Sequence, residues 1–565
     1  MRCVRIEPGV GGYWEGPLNG IRSWAGLVWM KRSLTFATVA ATTLFILTAG
    51  GVPAEASTTF KVTRFDDPVP GSCLAGNCSL REAIMAANAN PGTDTIQVPA
   101  GLYTLTVPGE LPITDSVVIE KTGSGSTATV NANGTITGAR AFEITSANVT
   151  LDNISVENGA PPPAPDGSAA GGGILIDAGA SLTMNGGVVS HNFAAGTSGG
   201  GGGIDSEGTP LTLNKVIVQD NSVDTAYGGG IDSGNGILNL NNSVVRDNAG
   251  AFGGGIEETG SVHATDSLIE GNSAGYGGAV YAGACGAFIG TNVTVSGNTT
   301  VADGGGFRVN GSDLFLFSST VTNNQAGNAP GDSALGGGIA SIMFSSCPEE
   351  VSLTNTIVAG NTDNGGGTPI ARDCIEEDSE TGVFISNGYN IIGDDTDCFI
   401  TPTTGDQFGT YASPIDADLK PLAFNGGLST ALQTDALESG SPAINHGSPT
   451  AGSCPTTDAR GVPRSLGGRC DVGAYELVSC HGVVVDRVGT AGNDNSTSPQ
   501  MEPTAGRDGI LGLAGNDSLS GGAGNDALCG GSGNDKLSGG SGRDVCDGGV
   551  GTDSATGCEV KISIP

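Results

Sequence analysis

One asparagine returns through the middle of the chain at a nearly constant interval. The segments VVSHN, VIVQDN, VVRDN, LIEGN, VTVSGN, TVTNN and TIVAGN end at Asn192, Asn221, Asn248, Asn272, Asn298, Asn324 and Asn361. Three residues before each stands Val189, Val218, Val245, Ile269, Val295, Val321 or Val358. Each of the first six Asn is followed by a Gly-rich turn and an apolar residue: Ile204, Ile231, Ile256, Val280, Phe307 and Ile339, with Ile174 opening the series. Short alternating apolar runs joined by Gly and Asn turns are strands. A repeat of this length with strands in every copy predicts a solenoid. Equivalent residues then stack about 4.8 Å apart along the axis. The apolar positions become inward ladders, and the Asn becomes a buried column whose amides bond one another.

Chain composition agrees with a turn-rich, all-β repeat protein, with 97 Gly and 5% aromatic residues in 565. The expected fold of the larger part is a right-handed parallel β-helix with an N-terminal helical cap. The cap is read from CSLREAIMAANAN, where Ser79-x-x-Glu82 is a capping box and Leu80, Ile84 and Ala87 share a helix face.

The tail carries a different period. From Gly512 to Thr556 it divides into GLAGNDSLS, GGAGNDALC, GGSGNDKLS, GGSGRDVCD and GGVGTDSAT, with PTAGRDGIL before them. This resembles G-G-x-G-x-D-x-U-x, the nonapeptide of RTX proteins that bind calcium. Gly515, Gly524, Gly533 and Gly542 allow left-handed turns and bring carbonyls toward an ion. Asp508, Asp517, Asp526, Asp535, Asp544 and Asp553 supply hard carboxylate oxygens suited to Ca²⁺. Ile510, Leu519, Leu528, Leu537 and Cys546 form the strands between turns, and Asp494 in GTAGNDN reads as a detached earlier copy. A flexible Gly-rich linker, the bland alternative, does not account for the fixed Asp and Leu phases.

Further resemblances follow from specific residues. Cys78-Ser79-Leu80-Arg81-Glu82-Ala83 resembles the motif that names the CSLREA domain. The GGGI and V-x-x-N repeats resemble the GGA[ILV] and FxxN repeats of polymorphic outer membrane proteins, with Val in place of Phe. Residues Asn355 to Glu476, with DLKPLAFNGG, SPAINHG and CDVGAYE, resemble the choice-of-anchor Q domain. These resemblances imply a secreted, pectate-lyase-like β-helix protein and no particular reaction.

The expected organisation is a mis-called start at 1–29, a signal peptide at 30–56 and a CSLREA cap at 57–100. The β-helix spans 101–354, a terminal cap 355–478, a linker 479–502 and a small C-terminal calcium-binding parallel β-roll 503–558. The signal is read from Met30-Lys31-Arg32, the apolar run Ser33 to Thr48, and the A-x-A site Ala54-Glu55-Ala56. Its removal takes Cys3 from the 13 Cys and leaves an even number, which implies disulfides in an oxidising compartment. Plausible pairs are Cys73/Cys78, Cys285/Cys347, Cys374/Cys398, Cys454/Cys470 and Cys546/Cys558, although connectivity is not fixed by sequence. No later segment reads as a membrane span. The net charge of −35 argues against nucleic acid and anionic membranes as partners.

For chemistry, the position after each repeated apolar residue runs Leu175, Asp205, Asp232, Glu257, Tyr281, Arg308, Ala340. Stacked on one face, Asp205, Asp232, Glu257 and Arg308 are the candidate catalytic or sugar-binding group; a solvated acidic face is the bland alternative. A second column, Asp220 and Asp247, is weaker, because Gly271 and Gly297 occupy its later places. Asn361-Thr362-Asp363, Asp394-Asp395 and His446-Gly447 resemble three of the four polygalacturonase segments, and the RIK segment is missing. His191, His263, His446 and His481 show no metal spacing. Two functions stay open: a secreted calcium-binding surface or adhesion module with a polysaccharide or protein ligand, and an extracellular polysaccharide lyase or glycoside hydrolase. The scarcity of aromatic rings argues mildly against the second.

Overall fold

The computed structural model describes residues 57–564 apart from 126, 164–167, 197, 328–334, 343–346, 365–369, 378–382, 428–430, 451–452, 465–467 and 499–500. The expected mis-called start, 1–29, and the expected signal peptide, 30–56, lie outside the described residues.

The repeats stack as a parallel β-helix. In one coil Ile204–Ser206 leads to Leu211–Asn214, Ile217–Gln219 and Ser222–Val223, and Ile231–Asp232 opens the next. These are the first, second, third and fourth faces, and each pairs in parallel with its copy one coil on: Ile204 with Ile231, Leu211 with Leu238, Ile217 with Val244, Ser222 with Ala249. The four stacks hold 10, 12, 12 and 8 strands in turn. Inward residues such as Ile204, Leu211, Leu213 and Val218 are fully buried and belong to one continuous core. Each buried aliphatic side chain of this kind contributes roughly 1.5–3 kcal/mol.

The Asn column is a ladder. From Asn221 on, each Oδ1 accepts two hydrogen bonds from the preceding Asn, one from its backbone N–H and one from its Nδ2, as Asn248 does from Asn221, both at 3.0 Å. Each Nδ2 also donates to a carbonyl of the preceding coil, as Asn248 does to Val218 at 2.9 Å. The ladder runs from Asn192 to Asn361 and ends on Asp373, whose Oδ1 accepts from Asn361. Buried amides are thereby satisfied, which a solenoid core requires.

The residue before each ladder Asn turns the corner with a left-handed backbone. His191, Asp220, Asp247 and Asn323 have φ of 53–56°, and Gly271 and Gly297 have 60° and 68°. The Asp220/Asp247 column is thus set by conformation, since Asp, Asn and Gly tolerate this region. The glycine runs answer a different demand: a Cβ on Gly229 would lie 2.5 Å from the Gly254 carbonyl oxygen of the next coil.

The helical cap forms as expected over Leu80–Asn88. Glu82 N–H donates to Ser79 Oγ, and Ser79 N–H donates to Glu82 Oε2 at 2.8 Å. Buried Arg81 holds Asp67 through Nε and Nη2 at 2.7 and 3.0 Å.

The β-helix does not stop at 354. Glu350–Thr354, Ile357–Val358, Cys374–Glu376, Phe384–Ser386, Ile391–Ile392 and Gln407–Phe408 continue its sheets. Longer segments between these strands break the regular interval, so the last coils lose their period in the sequence. Residues of the segment 416–476 then run back along the third face. Leu432, Ala459 and Ala474 pack on Val244 and Leu268, with Ile217 and Leu422 alongside. Arg464 Nη2 donates to Asn292 Oδ1 at 2.9 Å, and Asn355 Nδ2 donates to the Asp471 carbonyl.

In the roll, every second nonapeptide stacks. Ile510 pairs with Leu528 and Leu528 with Cys546 in a five-stranded parallel sheet; Leu519 pairs with Leu537 and Leu537 with Ala555 in a three-stranded one. Ile510, Leu519, Leu528, Leu537 and Cys546 form its thin core. The segment 479–502 is not a free linker: Arg487–Val488 is the first strand of the five-stranded sheet, paired with Ile510 and Leu511. Val478, Cys480, Val485 and Val488 pack with Val462 and Ala527 and join the roll to the preceding domain. Among the described residues six disulfides are present: the five anticipated pairs and Cys480–Cys529, which ties this segment to the roll.

Candidate calcium centre and acidic column

The roll folds its Asp residues inward in two columns. Asp508 N–H donates to Asp526 Oδ1 and Asp526 N–H to Asp544 Oδ1, both at 2.9 Å. In the other column Asp494 N–H reaches Asp517 Oδ1, Asp517 N–H reaches Asp535, and Asp535 N–H reaches Asp553, each at 2.8 Å. Asp494 is therefore an integral copy, separated from the next by 23 residues instead of 18. At the far end, Glu559 Oε2 takes the N–H of Asp544, where another Asp would stand.

One oxygen of each carboxylate is thus spent on the roll itself. The other, Oδ2 of Asp517, Asp526, Asp535, Asp544 and Asp553, is buried and has no hydrogen-bond partner. Beside each lies the first Gly of its turn: a Cβ on Gly530 would sit 2.3 Å from Asp535 Oδ2. The fourth-position glycines Gly515, Gly524, Gly533 and Gly542 have φ of 124–149°, a region open only to Gly. Burial, reinforced by the neighbouring Asp, pushes Asp517 up to about 6 and raises Asp526 and Asp535. Five orphaned carboxylate oxygens in a carbonyl-lined core are a donor set for a hard divalent cation.

The second candidate, the column after the first-face Ile, also stacks: Leu175 with Asp205, Asp205 with Asp232, Asp232 with Glu257, Glu257 with Tyr281, Tyr281 with Arg308. It is no solvated acidic face, because Asp205, Glu257 and Arg308 are buried. Burial first, then the charge of Asp232, drives Asp205 and Glu257 well above the ordinary carboxylate range. Asp232 is raised by burial, offset in part by the Gly234 N–H and a hydrogen bond with Glu257. Asp232 and Glu257 face each other across one coil step. Arg308 is held by Asp303 at 3.5 Å and lies over the Tyr276 ring at 4.4 Å.

Beside this column stand three rings that sequence reading did not connect with it. Tyr227, Phe252 and Tyr276 stack at 5.1 and 5.3 Å. The signal was available, since each occupies the position immediately before a Gly-Gly pair that opens the first face. The rings face one another along the axis, and Arg308 covers the end of the stack.

The polygalacturonase-like segments have structural jobs. Asn361 ends the ladder, Asp363 pairs with Arg372 at 3.2 Å, Asp394 Oδ1 accepts from Thr396, and the His446 ring meets its own loop at the Ile444 carbonyl. His481 has a partner that sequence did not reveal, Asp547 Oδ2 at 2.9 Å.

The family model for the RTX calcium-binding nonapeptide repeat (4 copies) matches residues 504–537 and 530–555. No curated protein matches the chain. Solved structures similar to it include pectate lyase Pel9A, at 14% identity and a TM-score of 0.32, covering 75% of this chain and 97% of that one. Alginate lyase AlyF-OU02 with G6 is similar at 14% identity and a TM-score of 0.30, covering 67% and 92%. A mannuronic acid specific polysaccharide family 6 lyase from human gut microbiota is similar at 10% identity and 0.28, covering 61% and 91%. At such values the chemistry of those enzymes does not transfer. Among the described residues no helix is long and apolar enough to cross a membrane.

Proposed function

We propose that the chain is a secreted or cell-surface calcium-binding protein, a β-helix that serves as an interaction or adhesion module for a polysaccharide or protein ligand and is closed by a calcium-locked roll. The observation that carries the calcium part is the set of five orphaned, buried Oδ2 atoms at Asp517, Asp526, Asp535, Asp544 and Asp553. These atoms, with turn carbonyls such as those of Gly515, Gly524, Gly533 and Gly542, would hold the ions. Ca²⁺ supplies the positive charge that the ionised Asp columns otherwise lack. Secretion is supported by the six disulfides and the RTX repeats, and the CSLREA and choice-of-anchor Q resemblances belong to the same reading.

The column at Asp205, Asp232, Glu257 and Arg308 favours a non-enzymatic role. Asp232 and Glu257 hydrogen-bond to each other, whereas glycosidase carboxyls stand about 5–9.5 Å apart. Arg308 is engaged by Asp303. The test is to titrate the whole chain with CaCl₂ by calorimetry, then to incubate it with immobilised acidic and neutral polysaccharides in calcium and in EGTA. Saturable calcium uptake with retention on a polysaccharide or protein ligand and no turnover is expected. New reducing ends or unsaturated products, abolished by Asp232→Asn, would replace this reading with the lyase or hydrolase one.

A further inference from the structure

The two N-terminal turns of the roll differ from the rest. Gly489-Thr490-Ala491-Gly492-Asn493-Asp494 and Pro503-Thr504-Ala505-Gly506-Arg507-Asp508 carry Thr at the second position, where later turns carry Leu513, Gly522, Gly531, Gly540 and Gly549. Those later residues all have positive φ, from 75° to 110°, and the two Thr do not. With an ordinary backbone, Thr490 N–H donates to Asp494 Oδ2 at 2.6 Å and its hydroxyl lies 3.2 Å from both carboxylate oxygens. Thr504 does the same to Asp508, N–H to Oδ2 at 2.8 Å and hydroxyl to Oδ1 at 2.9 Å. Asp494 and Asp508 are thus the two members of the columns whose oxygens are all engaged, while the next five each keep one bare.

We infer that Thr490 and Thr504 are built-in substitutes for calcium: they cap the two Asp columns at their N-terminal ends and exclude the ion from those turns. This rests on the reading that the later turns hold calcium. The physical case is that both Thr donors occupy the oxygens a cation would need. A β-branched residue at that position also resists the left-handed backbone of the later turns. A roll whose first turns close without metal has a folded edge before the first ion arrives, which suits cooperative, directional filling. Asp508 leaves the calcium-ligand set for a further reason, since Arg487 Nη2 lies 3.8 Å from its Oδ1.

The Asp494 turn gives the cleaner test. Thr490→Gly turns it into Gly-Gly-Ala-Gly-Asn-Asp, the same hexapeptide as residues 521–526. Calcium bound per whole chain is counted by native mass spectrometry and by equilibrium dialysis. The expected result is one more ion in Thr490→Gly than in the wild type, and no change in Thr490→Ser, which keeps both donors. In the opposite direction, Asp494→Asn should leave the wild-type count unchanged, whereas Asp526→Asn should lower it by one. Loss of an ion in Asp494→Asn, or no gain in a folded Thr490→Gly, overturns the capping role while leaving calcium binding intact. A wild-type chain that takes up no calcium overturns the reading beneath it.

Discussion

Asn221 and Asn248, one coil apart, are joined by two hydrogen bonds to one oxygen: the backbone N–H and the Nδ2 of Asn221 both end on Asn248 Oδ1. The column therefore does the work of a backbone ladder at a corner where the strand pairing is interrupted. Asn248→Ala would leave both donors buried without an acceptor, at about 1–3 kcal/mol each. A loss of about 2–6 kcal/mol is expected in urea unfolding followed in saturating calcium. A loss below 1 kcal/mol would make the ladder incidental.

Close backbone approach makes a second prediction. A Cβ on Gly229 would meet the backbone of Ala249 at 2.4 Å, whereas one on Gly482 has nothing within 4 Å although its φ is +79°. Gly482→Ala should cost only the left-handed penalty, about 1–2 kcal/mol. Gly229→Ala should cost at least about 3 kcal/mol or abolish folding, because overpacking here pushes on backbone. Thermal melts of the two variants compare them directly.

The buried carboxyls predict a pH dependence. In the folded chain the Asp205 carboxyl is raised well above its ordinary value, chiefly by burial and then by Asp232. Its contribution to stability is complete below the ordinary carboxylate range and is lost as pH rises through the raised value. Asp205→Asn removes that loss. The variant should melt above the wild type at pH 8 and converge with it near pH 4. A variant less stable than the wild type at pH 8 would assign Asp205 a charged, functional state.

The roll has a related behaviour with a defined window. Asp517 stands at about 6 against an ordinary 3.8, through burial. Without metal, the roll should therefore gain stability as pH falls from 7 to about 4. Calcium, which needs the ionised carboxylate, should bind progressively more weakly over the same range. Calorimetric titrations at pH 7.5, 6 and 5 check both signs, and affinity independent of pH would exclude Asp517 as a ligand.

What the sequence made legible follows from which forces are local. The Val-x-x-Asn spacing yielded the core ladder and the Asn column because every coil repeats the same inward positions. The nonapeptide yielded the phase of the Asp residues for the same reason, while their sorting into two columns follows from the stacking of every second copy. The flank was harder. Ile217-Val218, Val244-Val245 and Leu268-Ile269 are adjacent apolar pairs, the mark of a strand covered on both sides, but the segment that covers them lies far along the chain, at Leu432, Ala459 and Ala474. The acidic column was placed correctly by register, while its burial depended on neighbouring coils. The Thr490 and Thr504 donors were invisible until their backbone conformation was known.

The central claim is that calcium holds the roll and that apolar ladders hold the β-helix. Differential scanning calorimetry of the whole chain, with only CaCl₂ or EGTA varied, tests it most directly. The account predicts two transitions, with the roll's transition moving up by a large, concentration-dependent shift in calcium and the β-helix transition staying in place in EGTA. A single transition that ignores calcium, or a β-helix that melts when calcium is chelated, would contradict it.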